Sequence, residues 1–301
     1  MSSRKKGERI DGWVVLDKPV GLGSTRAVGR VRRLFGAQKA GHGGTLDPLA
    51  SGVLPIALGE ATKTVPFVMD GRKEYRFTLR LGEARSTEDA EGEVTATSAA
   101  RPTDEAIRAV LLRFTGEIGQ RPPAFSALKI DGKRAYDLAR AGQTIELATR
   151  TVRIDRLELL DRIDIDQADF VVACGKGTYI RSLGRDIALA LGTVGHLSAL
   201  RRTAAGPFRQ EAAISLSKLE ALGHIPPLLG ALAPVATALD DIPAVALTEA
   251  QADRLRQGQP VSLTRDAPPS GALVRVETGS RLVALVRSDG ASLQPVRVFN
   301  L

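Results

Sequence analysis

The chain has 301 residues, 43% of them apolar, with a net charge of +8 and an isoelectric point near 9.9. This length predicts one large domain and a small one, and the excess of Lys and Arg favours a polyanionic partner such as a nucleic acid. Cys174 is the only cysteine, which excludes an intrachain disulfide, and three widely separated histidines give little support to a zinc site.

The beginning of the sequence is polar and basic. Residues 1–9 lack the apolar segment of a secretory signal, and we expect them to form a disordered arm. The longest uncharged run, residues 225–239, is too short to cross a bilayer and contains three prolines. We therefore expect a cytoplasmic protein without membrane association.

A strand is predicted over residues 12–16, followed by a helix from Ser24, its expected N-cap, to Phe35. Arg26, Arg30 and Arg33 fall on one face of that helix. Such a stripe is typical of a phosphate-binding surface and equally of an ordinary solvated face.

Residues 41–63 read GHGGTLDPLASGVLPIALGEATK and have Asp47 near their centre. The glycines before Asp47 allow positive φ angles and close approach of another molecule, while Pro48 restricts Asp47 to extended backbone. The apolar run that follows is expected to anchor this loop in a core. On loop chemistry alone, an ordinary Asp-Pro turn is the simpler interpretation.

The remaining elements follow from periodicity and turn signals. Residues 73–81 alternate as a half-buried strand that begins near Tyr75, and residues 103–114 show helical spacing. Residues 120–142 are rich in proline and basic residues, which indicates an ordered surface element. Strands are expected at 151–160, 168–174, 272–276, 282–286 and 296–300, and a helix from about Arg181 to Leu191.

The segment around Asp47 resembles the signature GHTGTLDPLATGVLP of the bacterial tRNA pseudouridine-55 synthases, the TruB-type pseudouridine synthase family. Gly43 departs from it, since the family usually has Thr there. Residues 120–142 resemble the family's segment Q-x-P-P-x-[FY]-S-A-x-K…G…Y…A-R-x-G, residues 176–181 its motif K-G-T-Y-I-R, and residues 196–203 its H-x-x-x-L-R-R-T. The match around Asp47 runs over about twenty consecutive positions.

This resemblance implies an α+β fold, with a large mixed, mainly antiparallel sheet flanked by helices and a small C-terminal PUA-like β-barrel. Residues 10–240 would form the catalytic domain, in which residues 120–150 form an arm that grips RNA. Residues 241–301 would form the RNA-binding barrel. The implied reaction isomerises uridine 55 in the T loop of tRNA to pseudouridine on a flipped-out base.

The resemblance also assigns roles to single residues. Asp47 would be the catalytic nucleophile, and Arg181 would pair with it and keep it ionised. Tyr75 would stack on the target base, His42 would help to hold the flipped state, and Tyr179 and Leu200 would line the pocket. Contacts to the RNA backbone are expected from Lys129, Lys133, Arg134, Arg140, Arg201 and Arg202, with bracing of the site as an alternative for the last two.

The expected partner is the T stem-loop of tRNA, with no membrane and no obligate protein partner, and we expect a monomer. No cofactor or metal is expected, because the isomerisation consumes neither electrons nor water. Two alternatives stay open: a non-catalytic protein that binds or folds tRNA, and a guide-RNA-dependent pseudouridine synthase. A non-catalytic protein would have no need of the Asp47–Arg181 pair. The bacterial-type segment at 120–142 favours a stand-alone enzyme over a guide-RNA-dependent one.

Overall fold

The computed structural model describes residues 7–126, 129–130, 133–134, 147–223, 225–263 and 266–301, and at 129–130, 133–134 and 225 it describes only the backbone. Residues 7–9 belong to the predicted disordered arm, yet Glu8 forms a parallel bridge with Ala37. Its N–H donates to the carbonyl of Gly36, and its carbonyl accepts from the N–H of Gln38. The prediction of disorder is wrong for these three residues, because their backbone has partners in the turn after the first helix.

The described residues contain seven α-helices: α1 (Ser24–Leu34), α2 (Val65–Asp70), α3 (Asp104–Leu111), α4 (Ile180–Ala190), α5 (Leu216–Ala221), α6 (Ile225–Leu229) and α7 (Glu249–Arg256). Shorter 3-10 helices lie at Gly59–Thr64, Leu112–Phe114, Gln210–Ala212 and Val235–Leu239. The helices predicted at 24–35, 103–114 and 181–191 are confirmed.

The strands in the described ranges are β1 (Gly12–Lys18), β2 (Ala40–His42), β3 (Ser51–Leu58), β4 (Lys73–Leu81), β5 (Glu83–Arg85), β6 (Val94–Thr97), β7 (Gly116–Gln120), β8 (Lys129–Ile130), β9 (Lys133–Arg134), β10 (Arg150–Arg162), β11 (Gln167–Cys174), β12 (Gly195–Ala205), β13 (Phe208–Arg209), β14 (Ile214–Ser215), β15 (Leu232–Ala233), β16 (Ala244–Ala246), β17 (Val261–Ser262), β18 (Leu273–Thr278), β19 (Arg281–Ser288) and β20 (Ser292–Val298).

The main sheet has the strand order β14-β1-β3-β12-β4-β11-β10-β7, with β2, β13 and β15 paired at its side. The β1–β14 and β3–β12 pairs are parallel and the others are antiparallel. The predicted large, mixed and mainly antiparallel sheet is therefore confirmed. The alternation predicted at 73–81 is also confirmed, since β4 has these bounds and buries Phe77, Leu79 and Leu81.

Helices α1, α3, α4, α5 and α6 pack on one face of the main sheet and form its larger core with residues such as Phe77 and Phe170, whose rings are stacked with centroids 5.1 Å apart. The opposite face packs against α2, two of the 3-10 helices and the C-terminal sheet, around Trp13 and Phe208. Strands β3, β4 and β12, which carry the predicted site, lie between these two layers.

The C-terminal residues form a five-stranded sheet with the order β16-β18-β19-β20-β17, and α7 packs against it. The strands predicted at 272–276 and 282–286 are confirmed, while the third runs over 292–298 and so begins and ends earlier than expected. In the described part of the chain, no helix is long and apolar enough to span a membrane.

Candidate active site

Residues 43–50, called here the Asp47 loop, connect β2 to β3 and are fixed by side chains from three other elements. The Ser24 hydroxyl at the start of α1 donates to the Leu46 carbonyl (2.7 Å) and accepts from the Leu46 N–H (2.8 Å). The buried Lys18 ammonium donates to the carbonyl of Pro48 at 3.4 Å. These contacts fix the backbone on both sides of Asp47.

Ser24 was predicted as an N-cap, and this prediction is wrong. Gly23, in extended backbone, occupies the N-cap position, and Ser24 is the first helical residue. The Ser24 hydroxyl is directed to the Asp47 loop instead, where it donates to the Leu46 carbonyl and accepts from the Leu46 N–H.

Arg202 braces the same loop from β12. Its guanidinium donates to the carbonyls of Val53 (2.7 Å), Thr45 (3.2 Å) and Gly44 (3.0 Å), and the residue is 1% exposed. These bonds attach Arg202 to the Asp47 loop from within the protein. Its predicted contact with the RNA backbone, and the alternative that it braces the site, stay predictions.

Gly43 is buried where the family usually has Thr. A Cβ atom placed there would lie 2.6 Å from Cγ1 of Val68 on α2, closer than packed atoms allow. Val68 thus occupies the space that a larger residue at position 43 would need, and the departure from the family motif is compensated by packing.

Arg181, the second residue of α4, reaches Asp47 across 134 positions of sequence. Its Nε donates to Oδ2 of Asp47 at 2.9 Å. Its Nη1 donates to the Thr87 carbonyl (2.8 Å) and its Nη2 to the Phe125 carbonyl (2.9 Å). The guanidinium is therefore held in one orientation by three different segments of the chain.

The two partners differ in burial. The Arg181 side chain is 5% exposed and the Asp47 side chain 38%. Asp47 is therefore the accessible partner of the pair, and Arg181 is the buried one. This leaves carboxylate surface accessible to a substrate.

Asp89 is a second carboxylate at this cation that sequence reasoning missed. Its Oδ2 lies 3.6 Å from Nε of Arg181, and its side chain is 3% exposed. The hydroxyl of Thr87 and the N–H of Glu91 both donate to its Oδ1. Asp89 lies in an acidic segment that reads as an ordinary surface loop, so no local signal distinguishes it.

A cavity of about 290 Å³ opens at Asp47. Among its lining residues are the predicted site residues Asp47, Tyr75, Tyr179, Arg181 and Leu200. The structure thus brings together residues from the Asp47 loop, β4, α4 and its preceding turn, and β12. A wider cavity of about 550 Å³ lies on the other side of the Asp47–Arg181 pair and contains Asp89, Glu91 and Phe125.

Two tyrosines provide aromatic surface in the smaller cavity. Burial raises the pKa of Tyr75 and also that of Tyr179, which keeps both as neutral phenols at physiological pH. Tyr179 is fixed through its backbone, because the buried Gln120 side chain accepts from its N–H (2.8 Å) and donates to its carbonyl (3.1 Å). Gln120 belongs to the motif at residues 120–142, but the sequence did not predict that its side chain positions Tyr179.

His42 does not line the cavity around Asp47. It is half-buried at the end of β2, and its Nδ1 accepts from the N–H of Gly44 at 3.3 Å. Burial, together with the nearby Arg202 charge, lowers the pKa of His42, so that the ring is neutral at pH 7. Its predicted part in holding a flipped nucleotide stays a prediction.

The predicted RNA-backbone contacts are only partly described. Arg201 is half-exposed and forms a bidentate ion pair with Asp17, at 3.0 and 3.1 Å. The backbones of Lys129, Lys133 and Arg134 lie in the β8–β9 hairpin, but their side chains lie outside what the structure describes, and Arg140 lies wholly outside the described residues. Their contacts to RNA stay predictions.

The site offers one accessible carboxylate, a fixed guanidinium and aromatic rings beside an enclosed space. Within the described ranges, no cluster of three or more His, Cys, Asp or Glu side chains is arranged to hold a metal ion. A lone carboxylate of this kind is suited to act as a nucleophile or as a base.

Three family models match consecutive parts of the chain. Residues 32–180 match the TruB family pseudouridylate synthase N-terminal domain. Residues 181–240 match the tRNA pseudouridylate synthase B C-terminal domain, and residues 243–299 match the C-terminal model of pseudouridine synthase II TruB.

The chain is also similar to curated and solved proteins. It is 58% identical to the tRNA pseudouridine synthase B of Bradyrhizobium diazoefficiens, over 99% of this chain and 88% of that one. It is 55% identical to the protein of that name from Rhodospirillum rubrum, over the full length of both. A solved Cbf5-Nop10-Gar1 complex contains a chain of 31% identity with a TM-score of 0.74, covering 96% of this chain and 85% of that one.

The solved neighbour confirms the predicted α+β pseudouridine synthase fold with its PUA-like C-terminal part. The curated relatives match over essentially the whole chain at more than half identity. The chain belongs to the TruB family of pseudouridylate synthases.

Proposed function

We propose that this protein isomerises uridine 55 in the T loop of tRNA to pseudouridine, with Asp47 as the catalytic nucleophile. The observation that carries the proposal is the Asp47–Arg181 pair, whose carboxylate faces a cavity lined by Tyr75, Tyr179 and Leu200. Relatives named tRNA pseudouridine synthase B supply the substrate class. Because tRNA is cytoplasmic in bacteria, we also propose that the protein acts there.

The reaction breaks the bond between ribose C1′ and uracil N1, turns the base and joins C5 to C1′. The proton on C5 is lost and N1 gains one, so the net reaction is balanced without a second substrate. As the nucleophile, Asp47 would form a transient bond to the nucleotide that breaks again before the product is released, and Arg181 stabilises the carboxylate charge through the 2.9 Å contact. Tyr75 supplies a flat, neutral surface for stacking on the base.

A base stacked within an RNA loop cannot reach Asp47, so the target nucleotide must be extruded at a cost of a few kcal/mol. We propose that Tyr179 and Leu200 line the pocket around the flipped base and that His42 helps to hold the flipped state. The further proposal is that residues 10–240 form the catalytic domain, residues 120–150 an RNA-gripping arm and residues 241–301 the PUA-like RNA-binding domain. Lys129, Lys133, Arg134, Arg140 and Arg201 would contact phosphates.

The two alternatives differ from this proposal in measurable ways. A guide-RNA-dependent enzyme would resemble the solved Cbf5-Nop10-Gar1 chain, yet the identity to that chain is 31% against 58% to a tRNA pseudouridine synthase B. We therefore favour a stand-alone enzyme without an obligate protein partner. A non-catalytic tRNA-binding protein would have no use for a carboxylate held by a buried guanidinium.

The test is incubation of the purified protein with unmodified tRNA transcript, without guide RNA or partner protein. Pseudouridine is mapped by carbodiimide-dependent stops of reverse transcription. A stop at the T-loop uridine is the expected result. Tight binding without any stop would instead support the non-catalytic or guide-dependent alternatives, and a stop elsewhere in the tRNA would overturn the assignment of the target.

A further inference from the structure

A groove lined by arginines runs along the outer face of α1, outside the cavity around Asp47. It has a volume of about 310 Å³ and is lined by Leu22, Arg26, Gly29, Arg30 and Arg33. The three arginines are exposed. At 1.5 Å per residue, the stripe from Arg26 to Arg33 is about 10 Å long. Several guanidinium groups therefore face one continuous depression.

The positive charge of this groove is only weakly compensated. Arg30 lies 3.9 Å from Glu220 on α5, and both side chains are about half exposed, so this ion pair contributes little. Among the side chains that the structure describes, no carboxylate lies within ion-pair distance of Arg26 or Arg33. The groove therefore carries more positive charge than the neighbouring carboxylates neutralise.

Gly29 lies in the floor of the groove, in the interior of α1. A Cβ atom at this position would meet nothing within 4 Å, and its φ is not positive. Neither packing nor backbone conformation requires glycine here, although glycine is unfavourable inside a helix. Its effect is to leave the space between the arginines open, which allows the backbone of a ligand to approach the helix.

The groove begins next to the Asp47 loop. Its first lining residue, Leu22, accepts from the Lys18 ammonium at 2.8 Å through its carbonyl, and Lys18 also contacts Pro48. Ser24, two residues before Arg26, is bonded to Leu46. A polyanion whose reacting nucleotide lies at Asp47 would therefore have this groove directly beside it.

We propose that the α1 groove binds phosphates of the RNA strand adjacent to the target nucleotide. Planar guanidinium groups bind phosphate oxygens bidentately, and a row of them follows a phosphodiester backbone without reading its bases. This inference rests on the proposed function, because it assumes that the RNA is the tRNA substrate.

The first test compares the Arg26→Gln/Arg33→Gln double variant with Arg113→Gln, an exposed arginine beyond α3 on the other half of the main sheet. Binding of tRNA is measured by filter retention over a range of salt concentrations. The groove variant should bind about tenfold more weakly, and its plot of log K against log salt should be shallower by roughly 1.5. Arg113→Gln, which removes one charge outside the groove, should leave both the affinity and the slope essentially unchanged.

In two further variants we expect changes in tRNA affinity that would not occur if α1 had an ordinary solvated face. Gly29→Gln keeps the charge, removes a helix-interior glycine and fills the groove, so it should raise the thermal unfolding midpoint and weaken tRNA binding. Glu220→Gln removes the competing carboxylate and should tighten binding.

If all groove variants bind like Arg113→Gln, the proposal is wrong and α1 has an ordinary solvated face. Absence of pseudouridine formation by the wild-type protein would overturn the proposed function instead, since binding is measured separately from turnover.

Discussion

Arg181 binds three other segments of the chain through one guanidinium. It contacts Asp47, Asp89 and the carbonyls of Thr87 and Phe125, and it is nearly inaccessible to solvent. Removing one partner of such a buried cation is strongly destabilising, because it leaves a buried charge without compensation. The forked geometry of the Arg181 guanidinium, rather than its charge alone, allows it to contact all four of these groups.

Arg181→Lys should therefore lower turnover by at least ~100-fold, because an ammonium keeps the charge but cannot hold Asp47 and two carbonyls at once. The measurement is the rate of pseudouridine formation at saturating tRNA, with tRNA binding determined in parallel. Arg76→Lys is the matched control, since Arg76 binds Asp169 through Nε and Nη2 on an exposed part of the sheet. Equal activity of the two variants would remove Arg181 from the site.

His196 gives a pH dependence that can be tested at a single residue. Its ring is buried, its Nδ1 contacts the Glu83 carbonyl at 2.7 Å, and burial lowers its pKa below 6.5. The unfolded chain therefore binds a proton below pH 6.5 that the folded chain does not, so the free energy of unfolding falls as pH drops from 6.5 through the folded pKa.

The stability of His196→Asn should fall less than that of the wild type between pH 7 and pH 5, because Asn retains a donor for Glu83 but has no proton to bind. Urea unfolding at several pH values measures this difference. Identical pH slopes in the two proteins would show that His196 is not buried in its neutral form.

At the scale of elements, the Asp47 loop is a rigid segment built from contacts that are distant in sequence. Ser24, Lys18 and Arg202 bind its carbonyls from α1, β1 and β12. At the start of β3, Gly52 has φ 100°, and a Cβ atom there would lie 2.2 Å from the Arg202 carbonyl oxygen. Strand β12 thus packs against the loop in a way that only glycine allows at this position.

Ser24→Ala should reduce stability by roughly 1–3 kcal/mol, because it leaves the buried Leu46 N–H without a partner. It should also lower kcat, since the loop next to Asp47 loses its attachment to α1. Ser215→Ala is the control: Ser215 caps α5 by accepting from the Lys218 N–H, so that variant should lose about 1 kcal/mol of stability and keep its kcat. A loss of kcat that is the same in both variants would contradict a specific role of the loop contact.

The elements with strong periodicity were predictable from sequence. The alternation at 73–81 identified β4 with correct bounds, and the apolar spacing at 103–114 identified α3. Helix α7 was missed, although Thr248 and Gln251 form a capping box there, which is a readable signal. Strand β12 was not predicted as a strand, although residues 196–203 match a family motif. Its Ala and Arg residues do not alternate between apolar and polar positions.

The site was predictable only where the family motif specified it. The Asp47–Arg181 contact was expected from resemblance, since no local pattern connects residues 134 positions apart. Burial of Arg202 was not predictable, because the carbonyls that need its donors lie in another segment. The contact of Asp89 with Arg181 was not predictable either. It depends on the conformation of the loop around Glu88, whose φ angle is 63°.

At the scale of the whole molecule, the C-terminal sheet is attached to the main sheet by an apolar core and a polar latch. Leu285 and Phe299 pack with Trp13 and Phe208. In the latch, Glu60 accepts from the Asn300 N–H (2.8 Å) and from the Lys63 ammonium (2.6 Å). Lys63 also donates to the Val298 carbonyl and lies over the Phe299 ring.

Glu60→Gln should weaken this attachment by about 1–2 kcal/mol at pH 7, because the charge-assisted bonds are lost. Although burial raises the pKa of Glu60, the Asn300 N–H and Lys63 lower it overall, so its stabilising effect is present above pH 4.5 and is lost as pH falls through the folded pKa. Urea unfolding at pH 7 and pH 3 should therefore show a difference that shrinks in acid.

The control for the latch is Glu158→Gln, since Glu158 forms an exposed ion pair with Arg156, and such surface pairs contribute little to stability. If Glu60→Gln is no less stable at pH 7 than this control, the polar latch does not hold the C-terminal sheet.

The central claim is that Asp47 carries out the chemistry, and release of tritium from tRNA labelled at uridine C5 tests it most directly, because the isomerisation must remove the proton from C5. The comparison is wild type against Asp47→Asn, which keeps the side-chain shape but not the nucleophile, with tRNA binding measured on the same preparations. We predict rapid release of one tritium per tRNA by the wild type and none by the variant, at similar affinity. Release by Asp47→Asn at a rate within tenfold of the wild type would show that another group is the nucleophile.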